Sequence, residues 1–270
     1  MTPIEPLEPV IYTDVVRRTL AEDLGRAGDL TTEATVPAGT AGRGRITSRQ
    51  SGRIAGMEVA LAVFRALDPD LRVTAVRPDG SDVERGDTVL ELEGSASALL
   101  TGERGALNLL GHLSGVATKT RTMVEAVAGA GARITCTRKT TPGLRALEKY
   151  AVRVGGGRNH RFGLDDAVLI KENHIAIAGG VGEALRRARD RVGHLVKIEI
   201  EVESLEQLEE ALEAGADAVL LDNMSPDELR TAVARAKGLV TLEASGGVDE
   251  STALEVAETG VDLISCGALT

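Results

Sequence analysis

The chain has 270 residues and a formal charge of −10, from 31 Lys and Arg against 41 Asp and Glu. That charge excludes a general polyanion binder, which needs a broad basic surface. With two Phe, two Tyr and no Trp, stacking on bases is also excluded as a way to hold single-stranded nucleic acid.

The opening "MTPIEPLEPV" lacks the basic and apolar regions of a signal peptide, and no stretch reaches the length of a membrane helix. The cytoplasm is the expected location. Ile11, Val15, Leu20 and Leu24 predict a helix over 8–24, followed by a polar connection, "GRAGDLTTEATVPAGT". "GRGRITSRQSGRIAG" alternates as a half-buried strand does, and "EVALAVFRAL" is helical. "LRVTAVRPDGSDVERGDTVLELEG" reads as two strands around a Pro-Asp-Gly turn. Helix returns over 97–128, where Gly111 and Gly115 allow close packing or a break.

From Arg133 the pattern becomes regular. Apolar runs begin near residues 133, 167, 196, 217, 239 and 260, separated by helical segments such as "GEALRRARDRV" and "SLEQLEEALEAG". Strands alternating with helices imply right-handed βαβ units and a parallel sheet. The strands end on Arg138-Lys139, Lys171, Glu201, Asp222, Ser245-Gly246-Gly247 and Gly267. Every strand thus delivers a polar or glycine cluster to one face, which fits an α/β barrel better than a doubly wound sheet. Cys136 and Cys266 lie inside these runs without metal-ligand spacing and are expected as buried thiols.

Between Thr137 and Lys171 this acidic chain gathers eight cations against three acids. Arg145, Lys149 and Arg153 fall at helical spacing beside Glu148 and are expected on a solvated helix surface. Arg138, Lys139 and Lys171 directly end apolar strands, and with His160 and Arg161 they point to a small, multiply charged anion. Arg matches a carboxylate or phosphate with its planar fork, and Lys supplies a point charge. "ASGGVDES" and "CGAL" can aim backbone N–H groups at a phosphate. Glu201 and Asp222 can hold sugar hydroxyls or Mg²⁺, or steady positive charge in a transition state. A phosphoribosyl donor with a pyrophosphate leaving group meets these needs. Asp165-Asp166 in "GLDDAVLI" resembles an acidic phosphoribosyl fingerprint but precedes its strand, and is set aside.

"TRKTTPGLRALEKYAVRVGGGRNHRFGL" followed by "LIKENH" strongly resembles the quinolinate phosphoribosyltransferases. Agreement continues through "GDLTTEATVP", "ERGALNLLGHLSG", "IEVESLEQ", "LLDN", "EASGG" and "CGAL". The resemblance implies a mixed α/β N-terminal domain over 1–105 and an open, TIM-like α/β barrel of about six parallel strands over 106–270. It implies transfer of phosphoribosyl from phosphoribosyl pyrophosphate to quinolinate with decarboxylation, using Mg²⁺. Arg138, His160, Arg161 and Lys171 would surround the quinolinate carboxylates, beside Thr137, and Lys139 and Lys171 would meet the pyrophosphate. Glu201 and Asp222 would contact ribose hydroxyls or metal, with Ser245, Gly246, Gly247 and Gly267 on the 5′-phosphate. Lys139, Lys171, Glu201 and Asp222 are the expected catalytic residues. Partners would be the two substrates and a second subunit, in a homodimer or larger assembly where Arg104 reaches the neighbour's site; neither nucleic acid nor membrane is expected. The family usually continues beyond "GALT" with a His toward the phosphate, which leaves two expectations here: a weaker phosphate site, or a trimmed sequence.

Overall fold

The computed structural model describes residues 5–270. They form two compact units, one of residues up to Arg121 with Thr141–Gly156, the other of Thr122–Thr140 with Gly157–Thr270.

The first unit opens with α1 (Pro9–Leu24), where Pro9 at the first helical position forfeits no hydrogen bond. The connection expected to be irregular contains a short helix, α2 (Leu30–Thr35), capped by Asp29, which accepts from the Thr32 N–H at 3.0 Å and the Thr32 hydroxyl at 2.6 Å. Strands β1 (Ala41–Thr47), β3 (Arg72–Val76) and β5 (Thr88–Ser95) form an antiparallel sheet in the order β1-β5-β3, while β2 (Gly52–Arg53) pairs with β4 (Asp82–Val83). The Pro-Asp-Gly segment serves helix α3 (Met57–Leu67) instead of a simple hairpin. Asp79 accepts from the N–H groups of Gly56 and Met57, each at 2.9 Å, and from the Tyr150 hydroxyl at 2.7 Å.

Helix α4 (Ala96–Ala126) runs unbroken through the expected boundary at 105/106. Gly111 and Gly115 cause neither a break nor a close approach, because nothing lies within 4 Å of an added Cβ. Helix α5 (Arg145–Val154) belongs to this first unit and corrects one expectation. Lys149 is 2% exposed and Glu148 fully buried, so this is no solvated charged face. The Glu148 carboxylate takes a hydrogen bond from the Thr141 N–H at 3.0 Å and lies 2.7 Å from His112 Nε2. Of the three cations read as surface, Arg153 is exposed, 5.7 Å above the Tyr150 ring, and Arg145 is half-buried. Gly155, the first of three consecutive glycines, is the C-cap of α5. Gly155 allows approach to the Ala117 carbonyl, 2.5 Å from where a Cβ would stand, and Gly156 turns the chain at φ 93°.

The second unit is an open barrel of six parallel strands: β6 (Arg133–Thr135), β7 (Val168–Ile170), β8 (Ile198–Val202), β9 (Ala218–Asp222), β10 (Thr241–Ser245) and β11 (Leu263–Ser265). Their order, β6-β11-β10-β9-β8-β7, leaves β6 and β7 as edges. Beyond β6, Arg158 continues the pairing through a parallel bridge to Thr135, which brings the "RNHR" segment alongside that edge. Helices α6 (Glu172–Ala178), α7 (Val181–Arg191), α8 (Leu205–Glu213), α9 (Pro226–Ala236) and α10 (Ala253–Glu258) complete the unit. Ser204 and Ser225 cap α8 and α9, the latter in a reciprocal box with Glu228. Cys136 and Cys266 are buried thiols outside any disulfide, and among the described residues no helix is long and apolar enough to cross a membrane.

Candidate active site

Strand register explains how charge enters the barrel. Glu201 is opposite Leu220, which is opposite Glu243, and Asp222 is opposite Ser245. Partners in register share a face and side chains alternate along each strand. Glu199, Glu201, Asp222, Glu243 and Ser245 therefore share one face, while Ile198, Ile200, Val219, Leu221 and Leu242 are buried on the other. Every strand-end residue read from the sequence emerges where expected. Lys171 directly follows β7, Glu201 is next to last in β8, and Asp222 and Ser245 close β9 and β10. Thr137, Arg138 and Lys139 form the loop after β6, and Gly267 lies just beyond β11.

The cations meet this end of the barrel. Lys139 donates its N–H to Thr137 Oγ1 at 3.0 Å and lies over Gly267, where an added Cβ would stand 2.8 Å from Lys139 Cδ. Arg161 Nη1 donates to the Ala167 carbonyl at 3.3 Å. The Nε atoms of Arg138 and Arg161 are both enclosed without a hydrogen-bond partner. Burial first, and then the charge of Arg138, lower the Arg161 pKa from its ordinary value. Two guanidinium groups held this way favour an anion between them. Lys171 Nζ donates to Glu201 Oε2, and Glu201 is 7% exposed.

Asp222 Oδ2 accepts from Asn223 Nδ2 at 2.7 Å. Asn223 has a left-handed backbone, φ 54°, and donates its N–H to the Ser245 carbonyl at 3.0 Å. A Cβ on Gly246, whose φ is 109°, would stand 2.3 Å from Asn223 Oδ1 and 2.9 Å from its Cα. The loops after β9 and β10 thus interlock, and glycine at 246 is required twice over. The positive φ of both Gly246 and Gly247 shapes the Ser-Gly-Gly turn. Sequence reasoning missed Asn223, although "LLDN" places it directly after a strand-end acid.

It also missed Glu199 and Glu243, whose signal was a carboxylate alternating with apolar residues in "VKIEI" and "VTLEA". His160 Nε2 lies 2.8 Å from Glu199 Oε2 and 3.8 Å from Glu243 Oε1, while Nδ1 accepts from the Arg161 N–H at 2.8 Å. Burial, then the charge of Glu199, push the Glu243 carboxyl up to about 7, against the opposite pull of His160 and Ser265. Among the described residues, the only His, Cys, Asp or Glu group of three or more with ligand atoms within 4.8 Å of one another is His160, Glu199 and Glu243. Glu201 and Asp222 are not in it. With one oxygen each already engaged, they fit Mg²⁺ carried on substrate phosphates, which needs only one or two protein carboxylates.

Arg104 lies in the first unit, exposed on α4, where it lines a groove of about 610 Å³ together with Arg43, Arg45 and Arg49. Glu91 and Glu93 pair with Arg45 and Arg43 at 2.7 and 2.9 Å. The Asp165-Asp166 pair serves a local turn, since Asp166 accepts from the N–H groups of Phe162 and Gly163 at 2.6 and 2.9 Å.

The chain matches known proteins along almost its whole length. Residues 29–114 match the quinolinate phosphoribosyl transferase N-terminal domain, and residues 116–270 match the C-terminal domain of the same family. Nicotinate-nucleotide pyrophosphorylase (carboxylating) of Mycobacterium leprae is 48% identical over 265 residues, which cover 95% of this chain and 92% of the relative. The crystal structure of NadC from Streptococcus pyogenes is 40% identical with a TM-score of 0.95, covering 98% of this chain and 94% of that one. Nicotinate-nucleotide pyrophosphorylase from Francisella tularensis is 39% identical with a TM-score of 0.94, covering 100% and 95%. The chain belongs to the quinolinate phosphoribosyl transferase family.

Proposed function

We propose that the strand-end face joins quinolinate to phosphoribosyl pyrophosphate, giving nicotinate mononucleotide, pyrophosphate and CO₂ for NAD biosynthesis. The observation that carries this reading is the pair of half-buried arginines, Arg138 and Arg161, each with an enclosed Nε that lacks a hydrogen-bond partner. A dicarboxylate offers each an oxygen pair, whereas one carboxylate leaves repulsion of ~4 kcal/mol for a close pair at a dielectric of 20 uncompensated.

In this assignment Arg138, His160, Arg161 and Lys171 surround the quinolinate carboxylates beside Thr137. Lys139 and Lys171 meet the pyrophosphate, and Ser245, Gly246, Gly247 and Gly267 cradle the 5′-phosphate. The quinolinate nitrogen attacks C1 of the ribose as the bond from C1 to pyrophosphate oxygen breaks, its electron pair leaving with pyrophosphate. Glu201 and Asp222 orient the ribose hydroxyls and steady the positive charge that grows at C1. The bond from C2 to its carboxyl then breaks. Its electron pair remains at C2, next to the now cationic ring nitrogen, and C2 takes a proton from water as CO₂ leaves. Alignment of the two reactants supplies much of the rate. Glu201 and Asp222 would help hold Mg²⁺ bound to phosphoribosyl pyrophosphate, and the ion would supply neutralisation of leaving-group charge.

The resemblance supports a homodimer, or a larger assembly built from it, in which Arg104 serves the neighbour's site; the arginine-lined groove is in keeping with an anionic ligand there. Cytoplasmic location is part of the same proposal. Incubation with Mg²⁺, phosphoribosyl pyrophosphate and either quinolinate or nicotinate is the test. Product from quinolinate is expected, and product from nicotinate alone contradicts the assignment.

A further inference from the structure

A buried carboxylate in the first unit holds the chain just where it leaves the loop that carries Arg138 and Lys139. Glu148 stands in the first turn of α5 and is fully buried. Its Oε2 accepts from the Thr141 N–H at 3.0 Å, and its Oε1 lies 2.7 Å from Nε2 of His112 on α4. Two backbone bonds close the circuit. The Leu144 N–H donates to the Thr141 carbonyl at 3.0 Å, and the Glu148 N–H donates to the Leu144 carbonyl at 2.9 Å. Helix α5 is itself well anchored, by the buried Leu147 and by the Tyr150 hydroxyl on Asp79. A carboxylate in a first helical turn also suits the helix dipole.

The chain passes from the second unit to the first between Thr140 and Thr141. Two hydrogen bonds before that point are internal to the loop, from the Lys139 N–H to Thr137 Oγ1 and from the Thr140 N–H to the Arg138 carbonyl. They shape the loop without fixing it to its surroundings. Thr270 Oγ1 donates to the Lys139 carbonyl at 2.6 Å, and Glu148 holds the segment at its far end. Burying a carboxylate is costly unless its oxygens are engaged, and an apolar side chain could fill the same space without that cost.

We infer that Glu148 is a positioning residue for the reaction: by holding the Thr141 amide it fixes the end of the Thr137–Thr140 loop, and with it the stance of Arg138 and Lys139. The inference rests on the proposed function for what those two cations meet.

Hydrogen exchange at the Thr141 amide reads the hold directly, with or without turnover. Exchange should be slow in the wild type and in Glu148→Gln, whose amide oxygen can accept the same N–H. In Glu148→Leu, which fills the space but cannot accept, it should be ~10-fold faster or more. Activity should follow the same order. Glu148→Leu should melt near the wild type yet lose ~10- to 100-fold in kcat/KM for both substrates, whereas Glu148→Gln should stay within ~3-fold. Equal activity in the two variants would overturn the inference. So would a wild-type Thr141 amide that exchanges like unprotected peptide, even if Glu148→Leu does not fold. A protected amide released in Glu148→Leu, in protein that never turns over quinolinate, leaves the hold standing while the assigned reaction fails.

Discussion

The Lys139 side chain rests on Gly267, filling the place where any larger residue would put its Cβ, 2.8 Å from Lys139 Cδ. Two adjacent strands, β6 and β11, are thereby joined at the mouth by a cation lying over a glycine. The contact is with a flexible side chain, so Gly267→Ala can be accommodated by moving Lys139. The variant should melt within a few degrees of the wild type yet lose activity ~10- to 100-fold, the cost of displacing one charge-assisted contact. Thermal melting and steady-state kinetics on the same sample check both halves.

Arg161 offers a fork in a partly buried setting beside another arginine, and a lysine there would keep the charge but lose the paired hydrogen bonds. Arg161→Lys should raise the KM for quinolinate ~10-fold or more while leaving that for phosphoribosyl pyrophosphate unchanged. Parallel titrations of the two substrates separate this outcome from a general loss of structure.

Glu243 makes stability depend on pH. Its carboxyl keeps a proton up to about 7 in the folded protein, against 4.5 as the ordinary value. Between those limits the folded state binds the extra proton, so this group's contribution falls as pH rises through the window and is fully present only below it. The full span corresponds to about 3 kcal/mol. Glu243→Gln should abolish that part of the decline, seen as a flatter melting temperature between pH 5 and 8. An unchanged slope would show that Glu243 ionises normally.

The proposed contribution of Arg104 to a neighbour's site can be tested by complementation. Arg104→Ala and Arg138→Ala homodimers should each be poor enzymes, and mixing them should restore activity in the dimers that keep one intact site. No recovery after verified subunit exchange would exclude a contribution in trans.

Much of the barrel could be read from the chain because each strand is a short apolar run that ends on a polar or glycine residue at its C-terminal end. Lys171, Glu201, Asp222 and Ser245 all lie where that rule puts them. Other features depended on tertiary context. Lys149 has the spacing of a helix surface, yet α5 is packed on several sides, and only the fold reveals that it is buried. Helix α2 is too short to show a period and is set by its Asp29 cap. Glu199 and Glu243 read as the polar half of alternating strands. Their inward direction follows from strand register, which local pattern does not supply. The expected domain boundary falls inside α4, because a helix that passes from one compact unit to the other leaves no break in hydrophobic spacing.

Release of carbon dioxide from quinolinate labelled in its C2 carboxyl, measured against mononucleotide and pyrophosphate formed in the presence of Mg²⁺ and phosphoribosyl pyrophosphate, tests the central claim most directly. The account predicts equal amounts of all three products, with the label recovered as CO₂. Label retained in a dicarboxylate nucleotide, or turnover confined to nicotinate, would contradict it.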